Sequence, residues 1–205
     1  EVAIFTSAIW LSGILGKNPQ AANQIALNLA SMTFMVAMGF SVAAMIRVGN
    51  QKGLKNFREL RRVAISIVLL TSILSLVFAV FFILFNGELP KIFLDYNSVT
   101  DFADNHEVVA IAAQLLIIAA IFQFTDALQV VALGALRGMQ DVKIPTVICF
   151  IAYWIIGFPI SYYLSMHTSL ESMGIWIGLL AGLSASGVML FIRFNYLSKK
   201  LIRNN

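Results

Sequence analysis

From Val63 to Phe85 the chain runs for 23 residues without one charged side chain. That run constrains the fold more than any short motif does. About 20 apolar residues in a helix cover the ~30 Å hydrocarbon thickness of a bilayer. A helix also satisfies its own backbone polar groups where no water can. Five further apolar segments accompany it: Glu1 to Leu15, Ala21 to Ile46, Val108 to Leu136, Ile144 to Leu164, and Gly174 to about Leu197. One such helix can hide in a soluble core. Six in 205 residues cannot. The expected fold class is therefore all-α: a polytopic membrane protein with six transmembrane helices. Composition agrees, since 12% of residues are charged against about 25% in an ordinary soluble domain, and mean hydropathy is +0.86.

The segment boundaries carry local signals. Asn18-Pro19 opens the second segment, Asn86-Gly87 closes the third, and Pro145 stands in the first turn of the fifth. Gly157 and Pro159 are expected to kink the fifth, because proline removes a helical hydrogen bond. Gly174, Gly178, Gly182 and Ser186 recur at spacing four, which predicts close helix packing. Gly39 and Ala43 predict the same on the second helix. Glu88 to Asn97 reads as a short interfacial stretch. The first segment would be only ~22 Å long as a helix, and it begins at Glu1 with neither an initiator Met nor a basic leader. The expectation is a helix cut at its start, with part of the natural protein lying upstream.

Charge sets the orientation. Segment 47–62 holds six basic residues, 137–143 two and 193–205 four, so twelve of fourteen fall in alternate loops. The remaining two, Lys17 and Lys91, share the other side with Glu88, Asp95, Asp101, Asp104, Glu107 and Glu171. By the positive-inside rule the basic side is cytoplasmic, and so is the C-terminus. The net charge of +4 reflects topology, and no nucleic-acid surface is expected. Membrane lipid surrounds the helices in this reading.

Several chemistries lack their residues. No Lys lies mid-helix for a Schiff base, and His106 and His167 lie at or beyond helix ends. The sole cysteine, Cys149, can form neither an internal disulfide nor a thiol cluster. Gly182-Leu183-Ser184-Ala185 offers a serine, but no histidine lies at depth to activate it. No phosphate loop or zinc motif is present, so neither an enzyme nor a resident cofactor is expected.

One group stands out. Asp126 lies in an apolar segment with no basic residue within ten positions on either side. It is 11 residues before Arg137, ~16 Å along a helix axis and near the bilayer midplane. An ionised Asp there costs ~2.5–3.5 kcal/mol on insertion scales. Such a residue marks an ion, proton or substrate path, or glues two helices as a hydrogen-bonded group. Phe122, Gln123, Gln129 and Val130 share its helical face. The glutamines argue that this face avoids lipid, and the Phe122 ring suits an organic cation.

The stretches "ANQIALNLASMTFMVAMGFSVAAMIRVGN", "FQFTDALQVVALGALRGMQDVKIPT" and "YWIIGFPISYYL" together resemble the multidrug and toxic compound extrusion family, in its NorM-like branch. The resemblance covers essentially the whole chain, 1–205, as the C-terminal lobe of helices seven to twelve, with an N-terminal lobe missing. It implies one lobe of a two-lobe, six-plus-six transporter in a bacterial inner membrane. It implies a cation-coupled antiporter, driven by Na⁺ or H⁺, that exports organic cation drugs by alternating access. It also implies that Glu1 and Asp126 are the cation-coupling residues, which could hold Na⁺, and that Phe122, Gln123 and Gln129 sit at the substrate or cation cavity. Two departures stand against the family pattern. Some relatives carry Tyr at the place of Phe122, and many carry His at that of Asn23. Two alternatives remain: a lipid-linked sugar flippase of the same superfamily, which would need Arg or Lys inside the bundle, and a structural membrane subunit in which Asp126 is glue.

Overall fold

The computed structural model of the protein describes residues 2–94 and 102–203. Glu1, Asp95 and Asp101 therefore lie outside the described residues. The chain is helical throughout those regions: α1 (Val2–Leu15), α2 (Lys17–Gly53), α3 (Phe57–Leu84), a short 3₁₀ turn (Leu89–Phe93), α4 (Phe102–Gly138), α5 (Lys143–Ile151), a π-helical turn (Ala152–Gly157), α6 (Phe158–His167) and α7 (Glu171–Arg203). Five spans are long and apolar enough to cross a membrane, α5 to α6 counting as one, and α1 is a shorter apolar helix. The fold is the all-helical, multi-pass class expected.

Four of the helices overrun their apolar segments. α2 continues to Gly53 and α7 to Arg203, while α3 starts at Phe57 and α4 at Phe102. The polar ends of α3 and α7 are rich in Arg, Lys and Glu, which are good helix formers, so there the helix propagates out of the apolar zone. The start of α3 is fixed by a cap: the Asn56 side chain accepts a hydrogen bond from the Glu59 backbone N–H at 3.3 Å. Gly16 precedes α2 with φ of 130°, a conformation that favours glycine and allows the sharp reversal out of α1.

The fifth membrane segment is interrupted in a different way from the kink expected at Gly157 and Pro159. The interruption begins one turn earlier, as the π turn at Ala152–Gly157, where the Phe158 N–H reaches the Tyr153 carbonyl. Pro159 has no N–H to offer and its ring crowds the preceding turn. Widening that turn relieves the crowding.

α4 is the central helix and packs on α2, α3 and α7, while α6 and the π turn pack on α7. The closest approaches depend on glycine. A Cβ placed on Gly134 of α4 would collide with the Ser41 carbonyl oxygen on α2. One placed on Gly178 of α7 would collide with the Ser161 backbone nitrogen and hydroxyl on α6. Both contacts carry a hydrogen bond: Ser41 Oγ donates to the Val130 carbonyl at 2.7 Å, and Ser161 Oγ donates to the Ile175 carbonyl at 2.9 Å. The packing role expected of Gly39 and Ala43 is not observed. Both are exposed, and nothing stands within 4 Å of a Cβ built on Gly39. α2 instead presents Ser41 to a glycine supplied by α4.

Polar contacts tie the two ends of the bundle. At one end, Lys52 donates to the Met139 carbonyl at 2.6 Å, Arg61 to Asn195 at 2.9 Å and to Ser198 at 3.0 Å, and Arg193 pairs with Asp141 at 2.9 Å. At the other, Lys17 pairs with Asp104 at 3.1 Å and Asn18 donates to Glu107 at 2.6 Å. The basic segments at 47–62, 137–143 and 193–203 thus gather at one end, and the acidic residues Asp104 and Glu107 at the start of α4 at the opposite one.

Candidate functional site

Asp126 lies in the second half of α4 and is buried, at 6% exposure. It lines a cavity of about 320 Å³ bounded by α1, α2 and α4. Phe122, one turn before it, lines the same cavity. α1 contributes Phe5 and Ile9, and α2 contributes Gln24, Leu27, Asn28, Ala30, Ser31 and Phe34. Among the described residues Asp126 is the only titratable side chain in that lining. The rest combines aromatic and aliphatic surface with two amides and a hydroxyl.

The aromatic wall is held in place. Phe122 packs edge-on against Phe5 (6.0 Å between ring centroids, 76°) and against Trp176 (5.3 Å, 71°). Trp176 is fully buried and donates its indole N–H to the Asn23 side-chain oxygen at 2.9 Å. One hydrogen bond thus joins α7 to α2 behind the ring that faces the cavity. The position that departs from the family pattern at Asn23 is therefore a buried structural acceptor here. Edge-on aromatic pairs add ~0.5–1.5 kcal/mol beyond burial.

Not all of the side chains expected at the site meet there. Asp126 and Phe122 do. Gln129 is fully buried and turns to α5, where its Nε2 stands 3.5 Å from Cys149 Sγ. Gln123 is buried, and neither end of its amide has a hydrogen-bond partner among the described residues. Neither glutamine lines the cavity that Asp126 does. Glu1 lies outside the described residues.

Three polar residues of the cavity come from α2. Gln24, Asn28 and Ser31 stand at spacings of four and three, on one face of the helix. Gln24 donates to Asn28 at 3.3 Å. All three are exposed in this chain, a costly arrangement for a membrane helix unless that face meets water or protein. The i, i+4, i+7 pattern was readable in the sequence, yet it lies in a segment whose apolar average conceals it.

A larger groove of about 380 Å³ between α3, α4 and α7 is lined by Val68, Leu128, Val188 and Phe191, with Thr125 and Ser184 as its hydroxyls. It has no titratable group, so chemistry favours the smaller cavity for a cation. Among the described residues no group of three or more His, Cys, Asp or Glu side chains could enclose a metal ion.

Comparison with known proteins places this geometry in context. A family model described as MatE matches residues 1–163. The probable multidrug resistance protein NorM of Agrobacterium fabrum is 37% identical over 200 residues, covering 98% of this chain and 42% of that protein. The multidrug resistance protein MdtK of Proteus mirabilis is 37% identical over 204 residues, covering 98% and 43%. The crystal structure of the eukaryotic MATE transporter AtDTX14 has the same fold, with a TM-score of 0.82 and 22% identity over 98% of this chain and 44% of that one. The chain thus spans a little over two fifths of the length of these relatives.

Proposed function

Because the chain belongs to the MatE family, we propose that it forms the C-terminal six-helix lobe of a cation-coupled antiporter exporting organic cations and drugs. The observation that carries this reading is the buried carboxylate of Asp126 in a cavity walled by Phe122 and the amides of Gln24 and Asn28. A carboxylate in that setting can hold a proton, a Na⁺ ion or an organic cation, but its single charge does not compensate two cations at once. Occupation by the coupling ion on one side of the membrane therefore displaces the drug there. Alternating access turns that competition into antiport, provided each ligand binds the outward-open and inward-open states unequally. Glu1 is the proposed second acid. Na⁺ is a hard cation that takes oxygen ligands, which carboxylates and amide carbonyls supply. A carrier of this kind makes and breaks no covalent bond, so no enzymatic role is proposed. Among the described residues the cavity lining contains no Arg or Lys, which favours a cationic substrate over the pyrophosphate of a lipid-linked sugar.

The complementary lobe is the partner this reading requires. Co-expression of the 205-residue chain with the N-terminal lobe of a relative is expected to give gradient-dependent efflux of a cationic dye, whereas the chain alone gives none. Efflux by the chain alone in proteoliposomes would contradict the single-lobe reading, and no efflux from a correctly assembled pair would contradict antiport.

The proposed orientation places the basic end of the bundle in the cytoplasm and the protein in a bacterial inner membrane. In a Cys149→Ala background, Asn97→Cys is expected to react with a membrane-impermeant maleimide in intact cells, and Asn56→Cys only after lysis. The reverse pattern overturns the orientation.

A further inference from the structure

Four of the six cations of segment 47–62 fall into two groups. Lys52 and Arg61 are consumed inside the bundle, on Met139 and on Asn195 and Ser198. Arg47 of α2 and Arg62 of α3 are not. They line a third cavity, a groove of about 610 Å³ between these two helices. Arg47 has no ionic or hydrogen-bonding partner among the described residues. Arg62 has only Glu59, one turn away at 3.6 Å, and its side chain stays 81% exposed. Below the two guanidinium groups the groove is apolar apart from the Ser66 hydroxyl, with Phe40 on one side and Ile67 and Leu70 on the other. Phe40 lies seven residues from Arg47 and Leu70 eight from Arg62, so the apolar floor extends ~10–12 Å along the helix axes. That is most of one leaflet of a ~30 Å hydrocarbon core.

We propose that the α2–α3 groove is a binding site for an anionic phospholipid, its phosphodiester held between Arg47 and Arg62 and its acyl chain lying on Phe40, Ile67 and Leu70. The order of the lining decides the occupant: charge at the mouth and apolar surface below match a headgroup above a tail. A free phosphate would leave the apolar floor uncovered, and a zwitterionic lipid would bring its own cation against the guanidinium pair. Guanidinium is also the side chain whose fork fits two phosphate oxygens. The carboxylate of Glu59 stands in the same groove and competes with the phosphodiester for Arg62. The groove shares no lining residue with the Asp126 cavity, and its existence does not depend on the transport reading.

Native mass spectrometry of the full chain in detergent, titrated with phosphatidylglycerol or with phosphatidylcholine of the same acyl length, tests the assignment. Each guanidinium near an anionic headgroup favours it by about fivefold. Phosphatidylglycerol is therefore expected to bind at least about fivefold tighter than phosphatidylcholine. Arg47→Gln should lower that preference about fivefold, and Glu59→Gln should raise it by removing the competing carboxylate. Arg58→Gln, an exposed cation of the same loop that does not line the groove, should leave it nearly unchanged. Equal affinity for the two lipids overturns the proposal. So does an equal loss in Arg58→Gln and Arg47→Gln, which would mean that the loop attracts anionic lipid by charge alone. Loss of phosphatidylglycerol binding on addition of the complementary lobe overturns it as well, since protein would then fill the groove.

Discussion

Asp126→Asn in the assembled transporter is expected to abolish gradient-driven drug efflux while leaving the amount of folded protein in the membrane near normal. The two side chains have nearly the same shape, and both can accept a hydrogen bond. Only the carboxylate can take up a proton or balance a cation. Among the described residues Asp126 is the one titratable group lining the cavity, so a cation that sheds its hydration there depends on that charge for compensation, and the charge decides occupancy. Loss of a single charge-assisted interaction is worth ~1.5–3 kcal/mol, and ion coupling disappears with it. Efflux measured at equal expression, with and without an imposed Na⁺ or H⁺ gradient, reads the result. Near-normal, gradient-dependent efflux in the Asn variant would mean that Asp126 only glues helices. Phe122 is not the better target, because its ring also supports Trp176 and Phe5, and its truncation would mix binding with packing.

The second large effect is one of stability. Gly178→Ala is expected to destabilise the bundle by ~2–4 kcal/mol. The added methyl must displace the Ser161 backbone on α6, and overpacking of this kind costs ~1–3 kcal/mol. Moving Ser161 also breaks its buried hydrogen bond to the Ile175 carbonyl, worth another ~0.5–1.5 kcal/mol. Gly39→Ala is the internal control, since its methyl would meet nothing within 4 Å, and it should be neutral or slightly stabilising. Thermal unfolding in detergent separates the two. If both variants melt with the parent, the α6–α7 contact is looser than its geometry implies.

What could be read from sequence follows from what each signal measures. Apolar run length reports membrane spans directly, because a bilayer has one thickness, so α3 and α4 were legible in outline. Charge placement reported which helix ends come together, and the pairs of Lys52 with Met139 and Arg193 with Asp141 join segments so grouped. Asp126 was legible as the anomalous group because burying a carboxylate in an apolar run is costly anywhere. The side chains around it were harder to read. Spacing fixes the angle around one helix but not which neighbour stands at that angle. Gln129 lies only about 60° around the helix from Asp126, yet that is enough for it to meet Cys149 on α5 and leave the cavity. Gln24 and Asn28 join the cavity from α2, which nothing local to α4 could reveal. The same limit explains Gly39 and Ala43: small residues permit close packing, but the partner decides where it occurs.

The π turn in the fifth membrane segment acts as a one-residue frameshift in the seam against α7. Before it, inward positions follow the ordinary helical beat through Pro145, Cys149 and Ala152. After it they fall on Gly157, Ser161 and Ser165, where an unbroken beat would have put Ile156 inward in place of Gly157. The difference is about 100° of rotation. It brings Gly157 against Gly182, where a Cβ would already lie 3.3 Å from the opposing Cα, and it brings Ser161 against Gly178. An unshifted helix would drive a β-branched side chain into a seam that is already tight for a single Cβ. The two halves of one membrane segment thus meet α7 in different phases, and the wide turn between them absorbs the mismatch.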